Sequence, residues 1–310
     1  MAKMLLNSVE KCRVDIFDRN PHPYGLIRTG VAPDHQAMKN IQKDFKEVFE
    51  KNQGRCEFFG NVWVGKVDPS LPDYEVSKAH QQDGVISVEQ LRQNYSAVVL
   101  AHGALRDRLL GLPHELDTLG IMPSRRVVNW YNGSLDNDLS MEDEFDLTRS
   151  KNMTVIGNGN IFCDMARILL KDPKDLEKTD VPDEVIKALK ESRLENVQSI
   201  ARKGITHAAF TTKEIRELAS LEGVEYYMMR DEVQRSITDA STQEMNSTYA
   251  RAVGRRTEFM LKQFRAIQNE EHYQEVLNNG KKKLILRFLL TPKEFQVDTE
   301  ASRVQGMVFQ

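Results

Sequence analysis

The chain has 310 residues, 40% of them hydrophobic and 29% charged. That is room for two domains with separate cores, in the proportions of a globular protein. The formal net charge of -3 argues against a general nucleic-acid binder, which carries a basic surface, and no apolar run reaches the ~20 residues of a membrane-spanning helix.

In chain order, the opening MAKMLLNSVEK, with Glu10 and two lysines, does not read as a signal or transit peptide. Ala2–Lys11 is predicted as one short helix turning Met4, Leu5 and Val9 inward. RVDIFD is a strand ending in Asp18. The Pro- and Gly-rich run RNPHPYGLIRTGVAPDH is too long for a simple turn and reads as a functional loop. Lys39–Lys51 is an amphipathic helix with Ile41, Phe45, Val48 and Phe49 on one side. CEFFGNVWVG is a strand with a glycine break, YSAVVLAHGA a buried strand followed by a glycine turn, and SRRVVNWYNG a short helix stopping at Gly133. The acidic run Ser134–Ser150 is the best linker. MTVIG opens a second block as a strand, followed by a helix over Asn160–Lys171 and a charged helical insertion to about Leu194. NVQSIARKG is the next strand and TTKEIRELASL the next helix. Ser247–Ile267 is predicted as one long basic helix, with KLILRFLLTPKEFQV and RVQGMVF as two final strands. Strands alternating with helices predict an α/β protein with a largely parallel sheet.

Cys12, Cys56 and Cys163 stand far apart with no Cys-x-x-Cys pair, which speaks against a zinc site or a dithiol redox centre. The chemistry concentrates in VIGNGNIF. Gly157 permits a tight turn after the strand, Gly159 lets the backbone approach a pyrophosphate, and the helix behind offers free N–H groups and the positive end of its dipole. Phe162 stands where a third small residue normally allows close helix–strand packing, so its ring is expected to push the helix away or change its angle. A lone Gly-x-Gly also fits an ordinary strand–helix turn. The next strand, however, ends in ARKG, placing Arg202 and Lys203 where an NAD-binding unit usually has an acid for the ribose 2′-hydroxyl. Two cations there suit a 2′-phosphate and hence NADPH. Glu214 on the following helix either orients Arg202 and touches ribose or is a helix-surface charge. At the other end, a helix and a strand ending in Asp18 read as the back half of a second dinucleotide unit whose first strand and glycine loop are not in the sequence.

The runs VDIFDRNPHPYGLIRTGVAPDH, CEFFGNVWVG, AVVLAHGA, VNWYNG, VIGNGNIFCDMARILL, ARKGITHAAFTTKEIREL and LRFLLTPKE resemble, in order and over most of residues 12–310, the adrenodoxin reductase family of mitochondrial NADPH–ferredoxin oxidoreductases. The resemblance implies an α/β fold of two nested Rossmann-like dinucleotide-binding domains: an incomplete FAD domain over residues 1–105 and an inserted NADPH domain over 106–310, with the acidic linker at 134–150. It implies electron flow from NADPH through FAD to an acidic [2Fe-2S] ferredoxin, a mitochondrial setting, and at most association with a membrane surface.

Residue by residue, the resemblance assigns Asp18 to the FAD ribose, and Leu26 and Val64 to the lining of FAD. His35 and Asp164 fall near the flavin and the nicotinamide, as the catalytic pair. Gly157, Asn158, Gly159, Asn160 and Ile161 form the NADPH pyrophosphate loop, Arg202 and Lys203 match an Arg-Arg pair for the 2′-phosphate, and Glu214 is a further NADPH contact. Arg216, Arg255 and Arg256 are candidate docking points for the ferredoxin. The departures are the first glycine loop and the family's C-terminal return to the flavin domain, which have no counterpart here, together with Phe162 and Lys203. They leave a second expectation open: a truncated, inactive relative that binds NADPH or a protein partner. A disulfide reductase of related architecture is disfavoured by the cysteine spacing.

Overall fold

The computed structural model describes residues 1–65, 84–104, 107–134, 145–247 and 250–310. The chain divides into two compact units, Met1–Arg108 with Val128–Leu139, and Leu109–Val127 with Ser140–Gln310. The linker residues 135–144 lie outside the described residues.

In the first unit, β1 (Val14–Phe17) pairs in parallel with β2 (Cys56–Phe59), and β3 (Val62–Val64) with β4 (Gly84–Ile86). The predicted glycine break separates β2 from β3. At Gly60 a Cβ would come within 2.9 Å of the carbonyls of Asn20 and Pro21, so only glycine fits. The helix Ile41–Lys51 lays Val48 against Leu6 and Cys56, with Val14, Ile16 and Phe49 around them.

Two expectations fail in this unit. The N-terminal helix stops at Ser8 and buries Leu6, whereas Met4, Leu5 and Val9 face outward. Arg55 reaches back to the carbonyls of Leu6 (3.2 Å), Val9 (2.9 Å) and Cys12 (3.1 Å), fixing the helix by its carboxyl end and setting which side meets β1. The long loop after β1 contains a helical turn, Leu26–Thr29, and a second, Gln36–Lys39, precedes the main helix. YSAVVLAHGA forms no strand over its described residues, and Val99 and Leu100 are 55% and 63% exposed. An apolar run becomes a buried strand only where a neighbour takes up its N–H and C=O groups, and no described strand of this unit pairs with it.

In the second unit, five parallel strands form one sheet in the order β5 (Asn152–Ile156), β6 (Asn196–Ile200), β9 (Lys282–Arg287), β7 (Val224–Met229), β8 (Arg265–Ile267). The central strand β9 is the last of the five in the sequence. Its Leu284, Ile285 and Leu286 are fully buried, as expected for a strand covered on both faces. The helices Asn160–Leu170, Pro173–Leu176 and Asp183–Glu191 connect β5 to β6, and the latter two are the predicted charged insertion. Thr212–Leu218 leads to β7, and Glu270–Leu277 connects β8 to β9.

The predicted helix over Ser247–Ile267 is instead a helix at Arg251–Gln263 followed by β8. The run KLILRFLLTPKEFQV likewise splits at Leu289, whose φ is +58°. Its first part is β9, and its second, β10 (Pro292–Asp298), forms an antiparallel ribbon with β11 (Arg303–Phe309). Strand β7 and the helices Arg230–Ser236, Asp239–Asn246 and Glu270–Leu277 carry no strong periodic signature and emerge only from the structure.

Candidate nucleotide site

The strongest constellation lies at the carboxyl ends of β5 and β6, where open α/β sheets place their ligands. Ile156 pairs with Ile200, and the N–H of Gly157 donates to the Ile200 carbonyl at 2.8 Å. This sets the glycine turn directly beside the turn that carries Arg202 and Lys203. Gly157 has φ +125°, which a side chain would not tolerate. Gly159 caps the helix Asn160–Leu170 in extended backbone, with no side-chain cap. A Cβ built at Gly157 or Gly159 would meet no atom within 4 Å, so the space beside the loop is open and the first N–H groups of the helix face it unsatisfied by a cap.

Asn158 is the least expected member of the loop. Its carbonyl accepts from the N–H of Ala209 (3.1 Å) and Phe210 (3.0 Å), while its buried side-chain nitrogen has no hydrogen-bond partner among the described residues. Asn160 accepts through Oδ1 from the Thr211 N–H at 2.8 Å, and Ile161 is 53% exposed. The segment 206–211 thus runs under the glycine loop as a strap. Phe162 does not displace the helix. It points into the core at 2% exposure, beside fully buried Cys163, and the helix still begins at Asn160 against β6 and β9. Burial, followed by the charges of Glu214 and Asp164, pushes the Cys163 thiol far above its usual range, so it is no nucleophile.

Arg202 and Lys203 are exposed and have no ion-pair partner among the described residues. Their turn is held in place by Gly204, where a Cβ would approach the Ser236 Cβ to 2.7 Å. Glu214 is not a surface charge: it is 9% exposed and faces Arg167. Arg167 donates to Asp164 Oδ1 at 2.6 Å and lies 3.6 Å from Glu214 Oε2, joining the helix behind the loop to the helix after β6. Sequence reasoning missed Arg167, although its i, i+3 spacing from Asp164 was a usable signal. Of the three docking candidates, Arg216 and Arg255 are exposed, with Arg216 over the Phe259 ring at 5.4 Å. Arg256 is turned inward and donates to the carbonyls of Phe210 (3.2 Å) and Thr206 (2.8 Å).

The first-unit candidates sit at element ends. Asp18 follows β1 and accepts through Oδ1 from the Asn20 N–H (2.9 Å) and Nδ2 (3.1 Å). Leu26 opens a helical turn at 77% exposure, His35 caps the turn Gln36–Lys39, and Val64 closes β3.

No protein-family model matches the chain. It is 36% identical over 261 residues to the probable mitochondrial NADPH:adrenodoxin oxidoreductase of Schizosaccharomyces pombe, covering 84% of this chain and 49% of the relative. It is 35% identical over 296 residues to the NADPH-ferredoxin reductase FprA of Mycobacterium tuberculosis, 94% of this chain and 55% of the relative. Among solved structures, a histidine-to-glutamine variant of FprA matches with a TM-score of 0.77 at 31% identity, covering 99% of this chain and 60% of that one. FprA in complex with NADPH matches with a TM-score of 0.72 at 29% identity, covering 99% and 63%. The chain spans about half the length of the curated relatives it matches. On sequence and α/β fold together, the chain belongs to the NADPH:adrenodoxin and NADPH–ferredoxin oxidoreductase family.

Proposed function

We propose that the protein passes electrons from NADPH through FAD to an acidic iron–sulfur ferredoxin, and that the second unit is its NADPH arm. The observation that carries this reading is the Gly157 N–H to Ile200 carbonyl bond, which sets the open side of the glycine turn beside two exposed cations. When bound, NADPH would supply a hydride and FAD the means of passing its electrons on singly. The chain's residues bind and orient. The N–H groups of the helix N-terminus donate to the pyrophosphate beside Gly159, and the partnerless Asn158 amide gains an acceptor there. Arg202 and Lys203 hold the 2′-phosphate; Lys203 does so as a point charge without the two-pronged geometry of arginine. Arg167 ties Asp164 on the helix behind the loop to Glu214 on the helix after β6.

The fit to FAD is narrower. Asp18 stands at the strand tip where a ribose-binding acid belongs, but one of its oxygens is occupied by Asn20, and Leu26 is largely exposed. Residues 1–105 as a partial FAD domain and 106–310 as the NADPH domain follow from the family pattern. Exposed Arg216 and Arg255 suit an acidic ferredoxin. The mitochondrial relatives support a mitochondrial place for this chain, which subcellular fractionation tests.

The test is the visible spectrum of the purified chain after FAD incubation and gel filtration, with NADPH added. A flavin band that bleaches supports the full reading. NADPH binding by a colourless protein supports instead the second reading, a relative that binds NADPH or a protein partner without catalysis. Arg202→Glu should weaken NADPH roughly ten- to hundredfold, the worth of a charged hydrogen bond, and leave NADH binding unchanged. Equal loss of both would count against the 2′-phosphate role.

A further inference from the structure

Arg256 is a charge without a counter-charge. It stands on the helix Arg251–Gln263 with its guanidinium directed inward, and its two terminal nitrogens are spent on main-chain carbonyls, Thr206 at 2.8 Å and Phe210 at 3.2 Å. Its Nε is buried with no hydrogen-bond partner. No carboxylate pairs with it among the described residues, and burial lowers its pKa with no opposing charge at work. Holding a cation away from water without an anion costs free energy, and a neutral donor could tie two carbonyls at lower cost. Arg256 is only partly buried, and an anion bound near the strap would supply the charge its surroundings lack.

The two carbonyls bracket the strap. Between them lies Ala209, whose N–H, with that of Phe210, donates to the Asn158 carbonyl; one residue on, the Thr211 N–H donates to Asn160 Oδ1. Four residues before Thr206 stands Arg202. The strap thus connects both anion-binding ends of the nucleotide site, and Arg256 grips it from behind.

We propose that Arg256 is a positioning residue for the dinucleotide pyrophosphate: its fork fixes the strap, the strap fixes the Asn158 peptide and the loop, and the anion supplies the balancing charge. This rests on the reading of Gly157–Ile161 as an NADPH loop, and it moves Arg256 from the partner surface to the nucleotide site.

The experiment is calorimetric binding of NADPH and of adenosine 2′,5′-bisphosphate, which lacks the pyrophosphate, to the full chain and to Arg256→Met and Arg256→Lys. Thermal midpoints and amide exchange at Ala209 and Phe210 are recorded alongside. Arg256→Met is expected to weaken NADPH about tenfold, the value of a charge-assisted hydrogen bond. Arg256→Lys, which keeps the charge but not the fork, should fall between. The bisphosphate should change several-fold less, and exchange at Ala209 and Phe210 should quicken. Unchanged NADPH affinity in Arg256→Met overturns the proposal, as does equal loss of both ligands tracking a lower midpoint in both variants, which marks a merely structural tie. Loss of ferredoxin affinity with NADPH intact overturns it in favour of docking. Failure of the unaltered chain to bind NADPH overturns the loop reading, and this proposal with it; normal NADPH binding by the unaltered chain with unchanged affinity in the variants overturns this proposal alone.

Discussion

Gly204 and Glu225 illustrate how much at the residue scale depends on neighbours remote in the sequence. At Gly204, a methyl group would overlap Ser236 at 2.7 Å from its Cβ and 3.2 Å from its Cα. Gly204→Ala should lower stability by ~1–3 kcal/mol and weaken NADPH, since the Arg202–Lys203 turn must shift; thermal melts and titration of the variant check both. Glu225 accepts from Lys281 (3.0 Å), Tyr227 (2.9 Å) and Arg265 (2.9 Å). With the Lys281 hydrogen bond foremost, these hold its carboxyl down to about 2, from a usual 4.5. A folded pKa below the unfolded one gives stability that is fully present above pH ~4.5 and lost as pH falls toward 2. The melting temperature should fall across that window, and less steeply in Glu225→Gln. Equal slopes in the two proteins would refute the assignment. Arg202 and Lys203 were legible in the sequence because strand periodicity fixes the tip that carries them. Arg167 and Arg256 were not: a cation on an amphipathic helix looks like a surface charge until the packing partners of that helix are known.

At the scale of elements, the glycine loop, its strand and its helix followed from local pattern, and the charged insertion accounted for the long spacing to Arg202. The strap 206–211 did not, because its hydrogen bonds run to Asn158, Asn160 and Arg256, none of them adjacent in sequence. Its last residue is also a helix cap: Thr211 accepts through its hydroxyl from the Glu214 N–H at 3.3 Å. Thr211→Ala should cost about 1 kcal/mol, and faster amide exchange through the first turn of Thr212–Leu218 is the readout. The failed strand at YSAVVLAHGA is the opposite case. Its composition is that of a parallel strand, but strand propensity expresses packing against neighbours more than any backbone preference, and no described strand lies beside it. Phe162 was misread for a related reason. A large residue at a position usually small signals a clash only if its ring points at the strand, whereas this one enters the core.

For the whole molecule, the two units differ in what holds their sheets. Among the described residues, the first contains two pairs of short strands, and the second a five-stranded parallel sheet around a fully buried centre. Two-stranded pairs are marginal by themselves, whereas a covered multi-stranded sheet is not. Native-state amide exchange should therefore be slowest in β6, β7 and β9 and markedly faster in β1–β2 and β3–β4; comparable protection in both units would contradict this. The sheet class was readable from alternation alone, but the strand order was not, since hydrophobic pattern carries no information on which strands are neighbours.

That order has a consequence for how the protein is made. The slot between β6 and β7 is filled by a strand that leaves the ribosome last of the five. While residues 201–287 are being added, about 4 to 17 s at roughly 5–20 residues per second, β6 keeps a bare apolar edge, joined by that of β7 once it is made, and both stand open to other nascent chains nearby. Translational pauses across that interval prolong the exposure. Synonymous rare codons placed between residues 201 and 287 should therefore lower the soluble native fraction on expression although they alter no residue of the product, and an unchanged fraction would count against this reading.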